Sequence, residues 1–189
     1  MTIQLLALSG SARSASHNLK LVKAMADGAT AVGAQVTVID WSQFVLPVFN
    51  EDIEHQLPAA AVTLKNLFVQ SQGLLIAEPE YNGGYSALMK NAIDWVSRPL
   101  PGALPGSPFK NKVVVIAGAT TGKWGAVRSV RQLREVMGYL GCIVLPDTLS
   151  VNEAGKAFDA EGRLLDAKTA ELAAAAGAAA ARAAAALAR

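Results

Sequence analysis

The densest chemistry in this chain lies within its first eighteen residues. The apolar run Ile3-Gln4-Leu5-Leu6-Ala7-Leu8 leads into Ser9-Gly10-Ser11-Ala12-Arg13-Ser14-Ala15-Ser16-His17-Asn18, after which a helical pattern begins. Four hydroxyls, a glycine, a guanidinium and a carboxamide thus sit where a strand hands over to a helix. Backbone N–H groups at a helix start lack intrahelical acceptors and carry partial positive charge, so an anion is stabilised there. Serine and asparagine side chains add donors, and the Arg13 guanidinium can grip phosphate oxygens as a fork. Capping a helix needs one such residue, not six. The segment predicts a phosphate-binding loop.

Two further segments carry chemistry of a different kind. Glu78-Pro79-Glu80-Tyr81-Asn82-Gly83-Gly84-Tyr85-Ser86 follows the apolar run Leu74-Leu75-Ile76-Ala77. Pro79 and the Gly83-Gly84 pair suit an abrupt turn with exposed backbone groups, and Ser86 suits a helix cap. Tyr81 and Tyr85 offer flat apolar surface with polar tips, which beside two glycines points to a flat heteroaromatic ligand. The third segment, Gly118-Ala119-Thr120-Thr121-Gly122-Lys123-Trp124-Gly125, suits backbone and hydroxyl contacts to the rim of a ring system. It is not a nucleotide P-loop. One residue too few separates Gly118 from Gly122, and Trp124 stands where a hydroxyl should meet magnesium.

Other chemistries lack their residues. His17 and His55 are the two histidines, far apart and without cysteine or carboxylate at metal-ligand spacing. A serine hydrolase would need a G-x-S-x-G elbow, which the sequence lacks. Gly10-Ser11-Ala12-Arg13 departs from the G-x-G-x-x-G dinucleotide fingerprint. Arg128, Arg131 and Arg134 recur every third residue and read first as a solvated helix face, with an interface or an NADPH-phosphate contact as alternatives. Cys142, between Gly141 and Ile143-Val144-Leu145, reads as a buried strand position rather than a reactive thiol.

The elements must bring the three segments together. Apolar runs over 3–8, 35–40, 73–77, 112–117 and 142–145 read as strands, and helical periodicity covers 18–32, 58–71, 86–98, 125–140 and 166–188. Strand alternating with helix, with unbroken Val/Ile/Leu runs, predicts an α/β domain over 1–189: a three-layer, doubly wound, five-stranded parallel sheet. Ligands in such sheets sit beyond the carboxyl ends of the strands, where strand order reverses. The three chemical segments follow the first, third and fourth strands. Pro99 to Pro108 is too rich in proline and glycine for anything but a surface connection, and 146–165 is expected to be loop, with a turn at Asp159-Ala160-Glu161-Gly162.

Composition bounds the rest. A chain of 189 residues, 52% hydrophobic and 17% charged, can bury a proper core and is not disordered. A net charge of +2 excludes a nucleic-acid-scale basic field. The one cysteine excludes an internal disulfide framework and suits a reducing, cytoplasmic setting. The N-terminal apolar run has no basic flank, so no signal peptide is expected. Glu171, Arg182 and Arg189 interrupt the alanine-rich end, which reads as a peripheral helix rather than a membrane span.

Taken together, the motifs resemble the NAD(P)H-dependent FMN reductase family, flavodoxin-like proteins that include quinone, chromate and azo-dye reductases. The likeness spans nearly the whole chain. Gly10, Ser11, Arg13, Ser16 and Asn18 are in register with that family's G-S-x-R-x-x-S-x-N loop. Pro79 to Gly83 and Lys90 to Trp95 are similar to its P-E-Y-N-G and K-N-A-I-D-W segments, and Phe158-Asp159 with Gly162 and Leu164 to a late segment. The resemblance implies strand order 2-1-3-4-5, bound FMN, and NADPH or NADH as co-substrate. It places the FMN phosphate on Ser11, Arg13, Ser16 and Asn18. It lays the isoalloxazine along Pro79, Glu80, Tyr81, Asn82 and Gly83, largely through backbone groups. Thr120, Thr121 and Gly122 would meet the flavin from the third loop, which departs from the family's more glycine-rich pattern at Lys123 and Trp124.

The activity so implied passes hydride or electrons from reduced nicotinamide through FMN to a small acceptor such as a quinone, azo compound, metal oxyanion or free flavin. The cofactor carries that chemistry, so neither a catalytic general base nor a metal is expected. Lys90, Asp94 and Trp95 are expected to serve helix packing and oligomer contacts in a homodimer or homotetramer, with no nucleic-acid or membrane partner. Two alternatives stand beside this reading. A flavodoxin-type electron carrier usually presents an acidic surface, against which the net charge argues. A non-enzymatic flavin-binding sensor finds no effector segment in the chain.

Overall fold

The computed structural model describes residues 2–54 and 58–188, so His55 lies outside the described residues. Along the chain, β1 (Gln4–Ser9), α1 (His17–Ala31), β2 (Gln35–Val38), α2 (Ala59–Gln70) and β3 (Gly73–Glu78) are followed by α3 (Ala87–Ser97), β4 (Val113–Ala119), α4 (Val127–Tyr139), β5 (Ile143–Val151) and α5 (Ala167–Leu187). Burial at a period of two explains why the central strands are apolar throughout. Leu5, Ala7, Leu75, Ala77, Val113, Val115 and Ala117 meet α1 and α5 on one face of the sheet. Leu6, Leu8, Leu74, Ile76, Val114 and Ile116 meet α2, α3 and α4 on the other. Each fully buried leucine, isoleucine or valine side chain contributes roughly 1.5–3 kcal/mol. The five strands are parallel in the order β2-β1-β3-β4-β5. This is the expected three-layer flavodoxin-like arrangement. Strand order reverses between β1 and β3, so the loops after them flank the position where such sheets bind ligands.

Two expectations need correction. The segment 146–165 is not all loop, because β5 continues to Val151. Its register shifts opposite Val114 and Ile116, whose partners are Val144 and Thr148. Pro146 falls inside this bulge on an edge strand, where its missing N–H breaks no ladder bond. The expected turn at Asp159 is present, with the Gly162 N–H donating to the Asp159 carbonyl at 3.1 Å. Second, the alanines of α5 do more than favour helix. A Cβ on Gly28 of α1 would lie 2.1 Å from the Ala174 carbonyl oxygen, and one on Gly177 of α5 would lie 1.8 Å from that of Met25. Only small side chains allow two helix backbones so near, and Ala173, Ala176, Ala180, Ala181 and Ala184 fill the remaining seam. By length and composition α5 could cross a membrane, yet its small-residue stripe is buried against α1.

The smaller expectations on helices and thiol can be placed too. Trp95 of α3 is fully buried against Ala61 of α2 and Leu100, and Lys90 pairs with Asp94 one turn on, at 2.6 Å. Cys142 immediately precedes β5, half-buried, with its thiol against the Phe109 carbonyl at 3.3 Å. Burial pushes its pKa up to about 12, so the thiolate needed for reactivity is absent near neutrality.

Candidate functional site

The first loop is shaped by its own serines. Ser9 Oγ accepts from the Ser11 N–H at 3.2 Å, Ser11 Oγ accepts from the Arg13 N–H at 3.4 Å, and Ser16 caps α1 by accepting from the Leu19 N–H at 3.2 Å. Short hydroxyl side chains bonded a few residues along are what bend the chain between strand and helix. Arg13 is exposed, and its guanidinium has no hydrogen bond or ion pair among the described residues. The His17 and Asn18 N–H groups open the first turn of α1, likewise without an acceptor there. The His17 ring stacks on Phe158 at 5.8 Å, and its buried Nδ1 has no partner. Burial above all, then Lys20 and Arg13, holds this imidazole below its ordinary pKa, so it is neutral at pH 7.

Asn18 joins two loops. Its Oδ1 accepts from the Ala119 N–H at 2.8 Å and its Nδ2 donates to the Ala119 carbonyl at 2.9 Å, across 101 residues of chain. The carboxamide therefore straps the start of α1 to the end of β4. A second Nδ2 hydrogen is left over for a ligand.

The second loop turns at Asn82 and Gly83, with φ of 52° and 77°. Tyr81 and Gly84 exchange backbone hydrogen bonds of 3.0 Å each, closing a two-residue turn that asks for left-handed conformations at both central positions. The turn is thus centred one residue before the glycine pair. Ser86 caps α3 as expected, accepting from the Met89 N–H. Glu80 turns its side chain away from the loop and onto α4. Its carboxylate accepts from the Arg128 N–H at 3.0 Å and from Arg128 Nε at 2.6 Å, a favourable place for negative charge at a helix start. Gln132 Nε2 donates to the Gly83 carbonyl at 3.1 Å. Sequence reasoning missed this bracing by Arg128 and Gln132. Of the three arginines, Arg131 is exposed and Arg134 donates to the Leu145 carbonyl at 2.6 Å.

Glu78 begins the same loop and is wholly buried. Its Oε1 accepts from the Ser86 N–H at 2.6 Å, while its Oε2 has no partner and lies against Gly10, where a Cβ would come within 2.1 Å. Burial pushes this carboxyl up to about 7, against the hydrogen bonds from Ser86 that pull it down. A buried acid that is partly protonated at neutral pH thus separates the first loop from the second.

The third loop is held from β5 and the turn after it. The Thr120 N–H donates to the Val151 carbonyl at 3.0 Å, the Ala154 N–H to that of Thr120 at 2.9 Å, and the Glu153 N–H to that of Gly122 at 3.1 Å. Gly125 and Ala126 then take φ of 57° and 65° to start α4. Ala126 is fully buried in this left-handed conformation, which costs on the order of 1 kcal/mol and is tolerated because the surroundings over-determine it. Lys123 and Trp124 project into solvent.

The three loops close on one cavity of about 110 Å³. Ser11, Arg13, Ser16 and Asn18 line it from the first loop, Pro79, Glu80 and Tyr81 from the second, and Thr120 and Thr121 from the third. His17 and Ala119 line it as well. Asn82, Gly83 and Gly122 are not among its lining residues.

The sequence model of the family described as NADPH-dependent FMN reductase matches residues 3–156. The chain belongs to that family. An NAD(P)H-dependent FMN reductase of Pseudomonas aeruginosa is 37% identical over 173 residues, covering 90% of this chain and 89% of that protein. An NADPH:quinone oxidoreductase of Arabidopsis thaliana is 35% identical over 176 residues, covering 89% and 85%. Among solved structures, the flavoenzyme NAD(P)H:(acceptor) oxidoreductase FerB from Paracoccus denitrificans superposes with a TM-score of 0.78 at 26% identity, covering 96% of each chain. The loops of this FMN reductase family member suit the cofactor that names the family. A guanidinium and two first-turn N–H groups of α1 that have no acceptor among the described residues, with serine hydroxyls beside them, are donors of the kind a phosphate needs, and a tyrosine and two threonines line the same cavity.

Proposed function

We propose that this chain is an FMN-dependent NAD(P)H oxidoreductase that reduces small acceptors such as quinones, azo compounds, metal oxyanions or free flavin. The observation that carries the reading is the meeting of three sequence-distant loops on one cavity whose arginine has no hydrogen bond or ion pair among the described residues. Ser11, Arg13, Ser16 and Asn18, with the first-turn N–H groups of α1, would bind the phosphate. Pro79 to Gly83 would orient the ring through backbone groups, in a loop hydrogen-bonded to Arg128 and Gln132 of α4. Thr120, Thr121 and Gly122 would close its rim. FMN when bound supplies the hydride and electron chemistry, which is why no side chain is assigned as general acid or base. Tyr81 and Trp124, 51% and 71% exposed, offer apolar surface on which a nicotinamide or an acceptor can stack.

The quinone activity named for the Arabidopsis relative supports acceptors of that class. The same reading includes a homodimer or homotetramer, supported by the exposure of Trp124 and Val127 beside the third loop. An absorbance spectrum of the purified protein, then stopped-flow reduction by NADPH and by NADH with a quinone as acceptor, tests the whole reading. Flavin absorbance that bleaches and recovers supports it. Protein that refuses added FMN, or turns over no faster than free FMN, overturns it. Light scattering on the eluting peak tests the assembly.

A further inference from the structure

A second cavity adjoins the first loop on its other side. It has a volume of about 320 Å³ and lies between that loop, α1 and the carboxyl end of β2. Ser11 and Arg13 line both cavities, so Arg13 stands on the wall between them. The floor is apolar: Val38, Ile39, Leu19 and the ring of Trp41, whose Nε1 donates to the Ser9 carbonyl at 2.5 Å and so ties the floor to the loop. Three charged residues line it as well: Lys23, Arg13 and Asp40. Lys23, like Arg13, is exposed and has no ion pair among the described residues.

We propose that this cavity binds an adenosine phosphate group. Its volume falls at the small end of ligand sites, fit for one nucleoside rather than a dinucleotide. An apolar floor with an aromatic ring suits a purine. Lys23 and Arg13 suit a phosphate. Asp40 follows the carboxyl end of β2 and lines the cavity, where an ionised carboxylate can accept from ribose hydroxyls. Its Oδ1 takes two bonds from Ser42 and its Oδ2 one from Gln43, which leaves acceptor capacity on Oδ2. The Ser42 bonds hold the Asp40 carboxyl below the usual carboxylate range, so it is ionised near neutrality and can only accept. The adenosine phosphate could belong to FAD, to the reduced nicotinamide cofactor or to free AMP. The proposal relies on the first loop binding the flavin phosphate only in that the two sites share Arg13.

Calorimetry with AMP on the FMN-loaded protein tests it, with FMN retention followed by fluorescence in the same samples. Saturable AMP binding without release of FMN is expected. Lys23→Glu should weaken AMP at least tenfold and adenosine less than twofold. Asp40→Asn should abolish the preference for AMP over 2′,3′-dideoxy-AMP. Both variants should keep FMN affinity within twofold and unfold at the same temperature as the parent. No AMP binding, AMP that displaces FMN, or binding indifferent to both variants would overturn the proposal. Failure to hold FMN is a separate reading, because the heat of AMP binding does not depend on flavin colour. If Lys23→Glu weakens FAD but not FMN, the source is the dinucleotide flavin. If it raises the KM for NADPH or NADH instead, the source is the nicotinamide cofactor. If it changes only AMP, the site takes the free nucleotide.

Discussion

The first and third loops line the same cavity, yet they are held in opposite ways. Ser9, Ser11 and Ser16 bend the first loop by bonds to residues two or three positions away, and distant bonds from Trp41 and to Ala77 anchor only its start. The third takes its shape from Val151, Glu153 and Ala154, some thirty residues downstream, and from the Asn18 carboxamide across the cavity. A loop whose bends come from local bonds depends on the distant fold only where it is anchored. A loop built from distant ones forms only after the sheet has closed, and it carries the strained Ala126 as the sign of outside control. The difference predicts which substitutions spread and which stay local.

Asn18→Leu should have the largest effect, because it leaves the Ala119 N–H and carbonyl buried without partners. Urea titration should show a loss of about 2–4 kcal/mol, together with weakened FMN retention. A variant of parental stability would show that the strap does not hold the third loop. Glu78→Gln comes next. The native carboxyl titrates near 7 and the unfolded one near 4.5, so the folded protein binds more protons through that window. Stability should be intact below about pH 4.5, fall as pH rises through about 7, and then level off, by on the order of 3 kcal/mol in all. The glutamine variant should flatten that slope and gain about 1–3 kcal/mol at pH 8. A variant less stable than the parent at pH 8 would mean that the carboxylate has a partner after all.

Arg13→Ala should act on the ligand and not on the fold. FMN retention by fluorescence should weaken by about 1.5–3 kcal/mol, with the melting temperature of the flavin-free protein unchanged. Arg128→Ala should lose about 1–2 kcal/mol, since the arginine is half exposed but the Glu80 carboxylate, only 7% exposed, keeps just the residue 128 N–H as donor. Its sharper readout is a raised KM for the nicotinamide, as the second loop loosens. His17→Ala should leave turnover within a few-fold, and a collapse of the stopped-flow hydride-transfer rate would reveal an acid–base role.

The parts of the site that sequence made legible are those governed by neighbours in the chain. Ser86 announces its helix start because a cap acts within one turn. Ser11, Arg13 and Asn18 could be picked out because strand and helix patterns bracket them. Arg128 and Gln132 could not. A polar residue on an amphipathic helix reads the same whether water or the Glu80 carboxylate receives it, and 48 residues separate that pair. Pro146 misled for a related reason: it breaks most strands, and only an edge position with a bulge accommodates it.

Apolar periodicity, turn chemistry and helix caps determined the elements of this protein, the parallel pairing of its strands and the loops that line the cavity. Each of these signals depends on a few adjacent residues and on burial at a fixed period. Tertiary structure alone decided that α1 and α5 meet backbone to backbone through Gly28 and Gly177. It also decided that the end of β5 positions the third loop, and that Glu78 keeps an unpaired oxygen beneath Gly10. Those contacts join residues distant in the chain, and their energies exist only once the sheet has brought the partners within reach.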